Sequence, residues 1–345
     1  MADQPSSTNT NRPRDRKPTL HDLAEAAGVS FSLAGKVMRG SAGASEATKA
    51  RIQKVAEEIG YRPDLAARFL RRGHSRLIGV AYRLNSPYLS DVVKAIYAAA
   101  GAANYDVVLG GWFDAESERK AVTTLLGHRA AAIILIGPTT PSAELAEIVD
   151  TEPVITLYVR KSLPASDSVV TDEGHGMRLL VDHLVELGHR SIVHVDGGSG
   201  VGVASEARRL GYLDAMRANG LGTKALILPG GETLEAGVRA AERFTELPAG
   251  STAIVAYNDE SAHGLIDRLR ELGRIVPDDV SVTGFDGGRF ATFLPQHLTT
   301  IRQDNTAYAQ VAIRRVVDRL ELGVDGGEHT LLEPTLIIGR STRSI

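Results

Sequence analysis

Residues 20–40 read LHDLAEAAGVSFSLAGKVMRG. Leu20, Leu23, Ala24 and Ala27 recur at helical spacing, and Thr19 with Asp22 supplies a capping-box-like start. Gly28 ends that helix, because a left-handed C′ position suits a residue without Cβ. Ser30 can cap a second helix whose buried stripe is Ala34, Val37 and Met38 and which stops at Gly40. Two short helices joined by a glycine turn make a helix-turn-helix, which lays its second helix in the DNA major groove. A plain helical hairpin would carry the same pattern, so the surroundings have to decide.

Those surroundings favour DNA. A third helix follows, capped at Ser45, with Ile52, Val55, Ala56 and Ile59 on one face and Gly60 at its end. Pro63 then fixes a turn, and Asp64 to Arg72 can form a helix too short to be stable alone. Residues 12–76 hold 14 Lys and Arg against 7 Asp and Glu, a surplus of +7 that leaves −10 elsewhere from a net charge of −3. A basic head on an acidic body is the electrostatic footprint of a DNA reader. Residues 1–17 read as a disordered basic tail, with Arg12, Arg14, Arg16 and Lys17 available to phosphates.

The 345 residues suffice for two or three domains. No cysteine is present, which removes disulfides, thiolate metal sites and a cysteine nucleophile. The first residues have no apolar core, so neither a signal peptide nor an anchor is expected, and the chain is placed in the cytoplasm. No apolar run approaches membrane-spanning length.

After Arg76 the pattern changes to alternating strands and helices. Strand signals fall at Leu77–Tyr82, Val107–Leu109, Ala131–Ile136 and Val154–Leu157, with a helix-like segment around Asp91–Asn104. A second series runs through Ile192–Val195, Ala225–Leu228, Ala253–Ala256 and Val280–Phe285. Such alternation implies parallel sheets covered on both faces, here as two doubly wound subdomains with a ligand cleft between them.

The chain resembles the lactose-repressor (LacI/GalR) family of bacterial transcription factors. The headpiece carries the most specific matches: AEAAGVS at Ala24–Ser30, EIGYRP at Glu58–Pro63 and AARFLRRG at Ala66–Gly73. Collinear matches continue at Asp182–Arg190, Arg208 with Gly211–Tyr212, Asn258–Glu260, Val276–Asp286 and Leu298–Gln303. The resemblance implies an α/β protein with a helix-turn-helix headpiece at 18–62 and a hinge helix at 63–75. A periplasmic-binding-protein-like core would fill 76–345. It would be crossed near Gly188, Asp304 and Leu332, giving one subdomain of 76–187 with 304–332 and another of 188–303 with 333–345. The implied activity is that of a homodimeric repressor of palindromic double-stranded operator DNA, without enzymatic activity or cofactor, controlled by a small sugar-like effector.

The same resemblance assigns the residues. Base reading falls to Phe31, Ser32 and Lys36 at the start of the second helix, with Thr19 and Ser30 beside them. Lys can reach guanine O6 and N7, and Phe can contact a thymine methyl; packing at the turn is the alternative use of Phe31. Leu33–Ala34–Gly35–Lys36 stand where the family commonly reads T-V-S-R, and Gly35 costs about 1 kcal/mol of helix propensity. In the hinge, Leu70 matches the leucine that wedges into the minor groove, Ala67 allows close helix approach, and Arg71 faces the DNA. Effector binding falls to Arg208, Asn258 and Asp286 from the second subdomain, Tyr88 and Leu89 from the first, and His175 at a variable position. The loop before Pro87 is one residue short, and Glu232 stands where relatives often carry an aromatic residue. Trp112 serves either the cleft rim or the core.

Other constellations carry less. The loop DGGSGVG at 196–202 follows a strand but lacks the dinucleotide-binding spacing. His183, His189 and His194 lack metal-ligand spacing and suit packing, and Asp278–Asp279 reads as a loop. A ligand-binding protein without regulatory role is the competing class, opposed by Leu20–Arg72. The sequence stops at Ile345 without a heptad extension, which favours a dimer over a tetramer.

Overall fold

The computed structural model describes residues 18–38, 43–61, 75–84, 86–149, 152–159, 163, 165–198, 203–248, 250–289, 291 and 297–345. They fall into two compact units, one within 1–74 and one spanning 75–345.

The first unit is three helices, α1 (Leu20–Ala26), α2 (Phe31–Met38) and α3 (Glu46–Ile59). Their ends are set by the residues the sequence nominates. Thr19 and Asp22 form a reciprocal capping box on α1, the Ser30 hydroxyl accepts from the Leu33 amide at 3.2 Å, and Ser45 accepts from Thr48. Gly28 at φ +63° and Gly60 at φ +70° take the left-handed conformation that a side chain would resist. Leu23, Ala27, Val37, Ile52 and Ala56 form the core, flanked by Met38, Val55 and Ile59. The proposed hinge at 63–75, including Ala67, Leu70 and Arg71, lies outside the described residues except for Ser75, as do the basic residues before Pro18.

The second unit contains two six-stranded sheets. Sheet one comprises β1 (Leu77–Arg83), β2 (Asp106–Trp112), β3 (Ala132–Ile136), β4 (Val154–Leu157), β5 (Asp167–Thr171) and β11 (His329–Leu332), in the order β11-β5-β4-β3-β1-β2, all parallel. Sheet two comprises β6 (Ile192–Val195), β7 (Leu226–Leu228), β8 (Ala253–Val255), β9 (Ser281–Asp286), β10 (Thr299–Arg302) and β12 (Thr335–Ile337). Its order is β12-β10-β9-β8-β6-β7, parallel except for β12 against β10. The doubly wound, two-sheet reading of the core therefore holds.

Helices cover both faces of each sheet. On sheet one, α4 (Pro87–Ala102) and α11 (Asn305–Leu322) bury Val92, Ile96, Tyr308 and Val316 on one face. On the other face, α5 (Ala115–Gly127) and α6 (Ser142–Val149) bury Val122, Leu125 and Leu145. Trp112 is in that second core, 2% exposed, so its role is packing. On sheet two, α7 (Glu173–Glu186) and α8 (Val203–Ala218) cover one side, and α9 (Leu234–Thr245) and α10 (Asp259–Glu271) the other.

The chain passes between the sheets three times. Two passages lie at Gln303–Asp304 and after Leu332. The first passage is at Asp172, ahead of α7, and not near Gly188. Met177, Leu180, Val181 and Leu184 of α7 pack against Ile192, Tyr212 and Phe285, which commits the helix to the second subdomain.

The three histidines are structural. His183 Nε2 meets the Thr342 hydroxyl at 3.1 Å, and His189 bridges the hydroxyls of Thr252 and Ser281 at 2.8 and 3.0 Å. His194 is fully buried, and its Nδ1–H donates to the Val255 carbonyl at 3.0 Å. Burial lowers its pKa from 6.5 to about 4. The folded value lies below the unfolded one, so this contribution is full above pH 6.5 and is lost as pH falls toward 4. We expect about 2 kcal/mol of it to disappear between pH 7 and pH 5. Urea denaturation of wild type and His194→Phe across that range checks this: the wild type should lose the extra stability, and parallel pH profiles would contradict it.

Candidate functional site

In the first unit, Ala34, Gly35 and Val37 turn α2's inner face to the core, so its outer face is Phe31, Ser32 and Lys36, all exposed. Ser32 and Lys36 are four residues apart and share one side of the helix. Phe31 is 4.7 Å from the His21 ring. Thr19 and Ser30 spend their hydroxyls on helix starts, which sets the angle at which α1 and α2 begin. Gly35 does not interrupt α2.

In the second unit, a cavity of about 360 Å³ lies between the two sheets at the carboxyl ends of their strands. This is where open α/β sheets place ligands. Arg83, Tyr88, Leu89, Thr139 and Tyr158 approach from sheet one's side, and Arg208, Glu232, Tyr257, Asn258 and Asp286 from sheet two's.

Its deepest charged group is Arg208 on α8, 4% exposed. Arg208 Nε donates to Glu173 Oε2 at 2.7 Å, Nη1 to the Tyr257 carbonyl at 2.7 Å, and Nη2 to Asp286 Oδ1 at 3.4 Å. The guanidinium also stacks 3.7 Å from the Phe285 ring centre and 4.6 Å from that of Tyr257. Two glycines make this possible. A Cβ on Gly211 would meet the Gly174 Cα at 2.8 Å, so α8 approaches α7 closely enough for Arg208 to reach Glu173. A Cβ on Gly176 would strike the Phe285 ring at 2.9 Å, the ring on which Arg208 lies.

Asp286 sits at φ +110°, a conformation that costs a non-glycine residue of order 1–3 kcal/mol. Burial raises its pKa to about 7, and Arg208, shared with Glu173, offsets this only in part. Asp286 Oδ1 also accepts from Gln303 Nε2 at 2.9 Å. Gln303 Oε1 in turn accepts from the Thr171 hydroxyl, which is 2.6 Å from that of Tyr308. A continuous polar chain therefore runs from α8 through two of the passages between subdomains into α11.

The expected effector residues separate into two groups. Tyr88, Leu89, Arg208, Asn258 and Asp286 do line the cavity. Arg208 and Asp286 are already committed to the protein as above, and so is Asn258, which caps α10 through Ser261 and donates to the Glu232 carbonyl at 2.9 Å. Tyr88 joins Tyr158 and Asn305, its hydroxyl donating to Asn305 Oδ1 at 2.6 Å. His175 is not among the lining residues and lies 3.8 Å from Glu333. Sequence reasoning missed Arg83, Tyr158, Glu173, Tyr257 and Gln303 as cavity residues. Gln303 lay within a quoted match, and Glu173 follows the Asp172 helix cap, but neither position announces a side chain at a cleft.

Comparisons with known proteins agree with this architecture. Residues 19–64 match the model for "Bacterial regulatory proteins, lacI family", and residues 181–342 that for "Periplasmic binding protein-like domain". The chain is 30% identical to the HTH-type transcriptional regulator GalR of Escherichia coli K12, over 82% of this chain and 84% of GalR. A LacI transcriptional regulator from a Rhodococcus species is 36% identical, with a TM-score of 0.73 over 77% of this chain and 98% of that one. The lac repressor dimer bound to operator and an anti-inducer superposes with a TM-score of 0.78 at 27% identity, over 95% of this chain and 100% of the repressor chain.

Removing the Arg208 guanidinium would leave Glu173 and Asp286 buried without their cation. Arg208→Leu should therefore cost about 3–5 kcal/mol of stability, so loss of ligand response in such a variant would mix structural with binding effects. Urea denaturation tests this, with exposed Arg209→Ala as a control expected to change little; equal midpoints for Arg208→Leu and wild type would contradict it.

Proposed function

The chain belongs to the lacI family of bacterial regulatory proteins, and from that premise we propose that it is a cytoplasmic homodimeric repressor. Its reading helix recognises a palindromic operator, and a small sugar-like ligand in the cavity between the two sheets sets its affinity for that operator. The observation that carries this reading is the pairing, in one chain, of a helix presenting Phe31, Ser32 and Lys36 outward with a polar, aromatic-edged cavity of about 360 Å³. That volume is within the range for small-molecule pockets. Carboxylates, a guanidinium, tyrosines and an amide suit a ligand dense in hydroxyl groups, each of which donates and accepts. Among the described residues, no helix is long and apolar enough to cross a membrane.

In this reading Lys36 reads a guanine edge, and Leu70 from each protomer wedges into the central step of the operator. Dimerisation uses the outer face of α4. There, Ala95, Ala98, Ala99 and Ala102 lie beside Gln310, Ile313 and Arg314 of α11 around a shallow groove, and the small side chains permit close approach of a second helix pair.

Binding-site selection from random duplexes tests the proposal: wild type should yield one palindromic sequence, and recovery of no common sequence would reject it. Against that duplex, Lys36→Ala should lose about 1–3 kcal/mol and relax the preference at one base pair per half-site; an unchanged selected sequence removes Lys36 from the reading face. In sedimentation, Ala98→Arg should shift the protein from dimer to monomer, and a persistent dimer would place the interface elsewhere. A thermal-shift screen of sugars should find a ligand that raises the melting temperature.

A further inference from the structure

Among the described residues, two ion pairs span the cleft directly. Arg289, in the segment after β9, meets Asp91 of α4 at 2.7 Å, but its side chain is 47% exposed and such pairs are weak. The other lies on the cavity wall itself. Arg83 Nη2 donates to Glu232 Oε2, and the two side chains are only 21% and 22% exposed.

Arg83 is held on a strand, and Glu232 in the bend that leads into a helix. Arg83 is the last residue of β1, in register with Trp112 of β2. Glu232 precedes Thr233, the residue that caps α9, and its carbonyl is fixed by the Asn258 amide, itself fixed as the cap of α10. The surrounding charges make the pairing directional. Glu232 shares its lip with Glu235 and Glu260, and Glu260 has its pKa raised by burial first and then by those two neighbours. Without Arg83, Glu232 would be left with the repulsion of those neighbouring carboxylates.

We propose that the Arg83–Glu232 ion pair is a latch that holds the ligand-free core closed, and that a ligand engaging that wall of the cavity parts it or replaces both halves. A replacement must offer an acceptor to Arg83 from one side and a donor to Glu232 from the other. Neighbouring hydroxyls of a sugar do both without carrying charge. The latch deepens the effector-cleft reading, but its test needs neither DNA nor effector, so the two can fail separately.

The chain contains no cysteine, so Lys120→Cys on α5 and Arg239→Cys on α9, both exposed, accept spin labels uniquely. Pulsed electron–electron resonance on the ligand-free, full-length protein then reports the opening of the cleft. Arg83→Glu and Glu232→Arg should each move population to longer distances, changing the closed-to-open ratio by about fivefold or more. Glu232→Gln, which keeps the shape, should do so to a smaller degree. The swapped double variant Arg83→Glu/Glu232→Arg should return toward the parent distribution. Parent-like distances in both charge reversals, or a double variant as open as either single one, would overturn the latch.

Discussion

The buried guanidinium of Arg208, held between Glu173 and Asp286, is the constraint on which the core depends. A cation so far from water is tolerable only with its donors satisfied and its charge balanced, and this requirement reaches outward. It requires α7 and α8 to touch at Gly174 and Gly211, and it requires Phe285 to lie under the guanidinium against Gly176. It also helps to hold Asp286 in a backbone conformation that a non-glycine residue ordinarily avoids. Asp286 then connects through Gln303 and Thr171 to Tyr308, so the charge cluster of one subdomain is tied to the passages into the other.

The cluster changes what the cavity can offer a ligand. Arg208 and Asn258 line the wall, yet their main hydrogen-bonding directions point into the protein. They shape and polarise the cavity more than they stand ready within it. Arg83 and Glu232, by contrast, are satisfied by each other across the gap, and that bond can be exchanged for a ligand without burying an uncompensated charge. The proposed latch would thus separate stability from recognition, one resting on an ion pair deep within a subdomain and the other on one across the cleft.

Much of this is legible in the sequence. The caps at Thr19, Ser30 and Ser45 and the left-handed Gly28 and Gly60 fall where local chemistry requires them, because helix ends are governed by a few adjacent residues. The long apolar strands were equally plain. The short ones were not: β5 begins Asp167–Ser168, β10 is rich in threonine, and β11 alternates exposed and half-buried residues on a sheet edge. Their pairing is decided by distant partners, not by local pattern. The passage at Asp172 escaped for the same reason, since a continuous helix gives no local sign of which subdomain it will pack against. His175 shows the limit of transfer by matching position: it lies beside Glu333, away from the cavity lining. Glu232 was visible as a departure from relatives, but its meaning required Arg83, 149 residues away in sequence.

Under the proposed function, closure of the cleft and affinity for operator are one linked equilibrium, in which a ligand acts only through its preference between closure states. The direct test fixes closure without any ligand. Cysteines replacing Arg83 and Glu232 are joined across the cleft by a bis-maleimide, and the same protein with each thiol capped by N-ethylmaleimide serves as reference. Fluorescence anisotropy then gives the affinity of both for the selected operator duplex. The account predicts affinities that differ by about 5–150-fold; equal affinities for the bridged and capped proteins would contradict it.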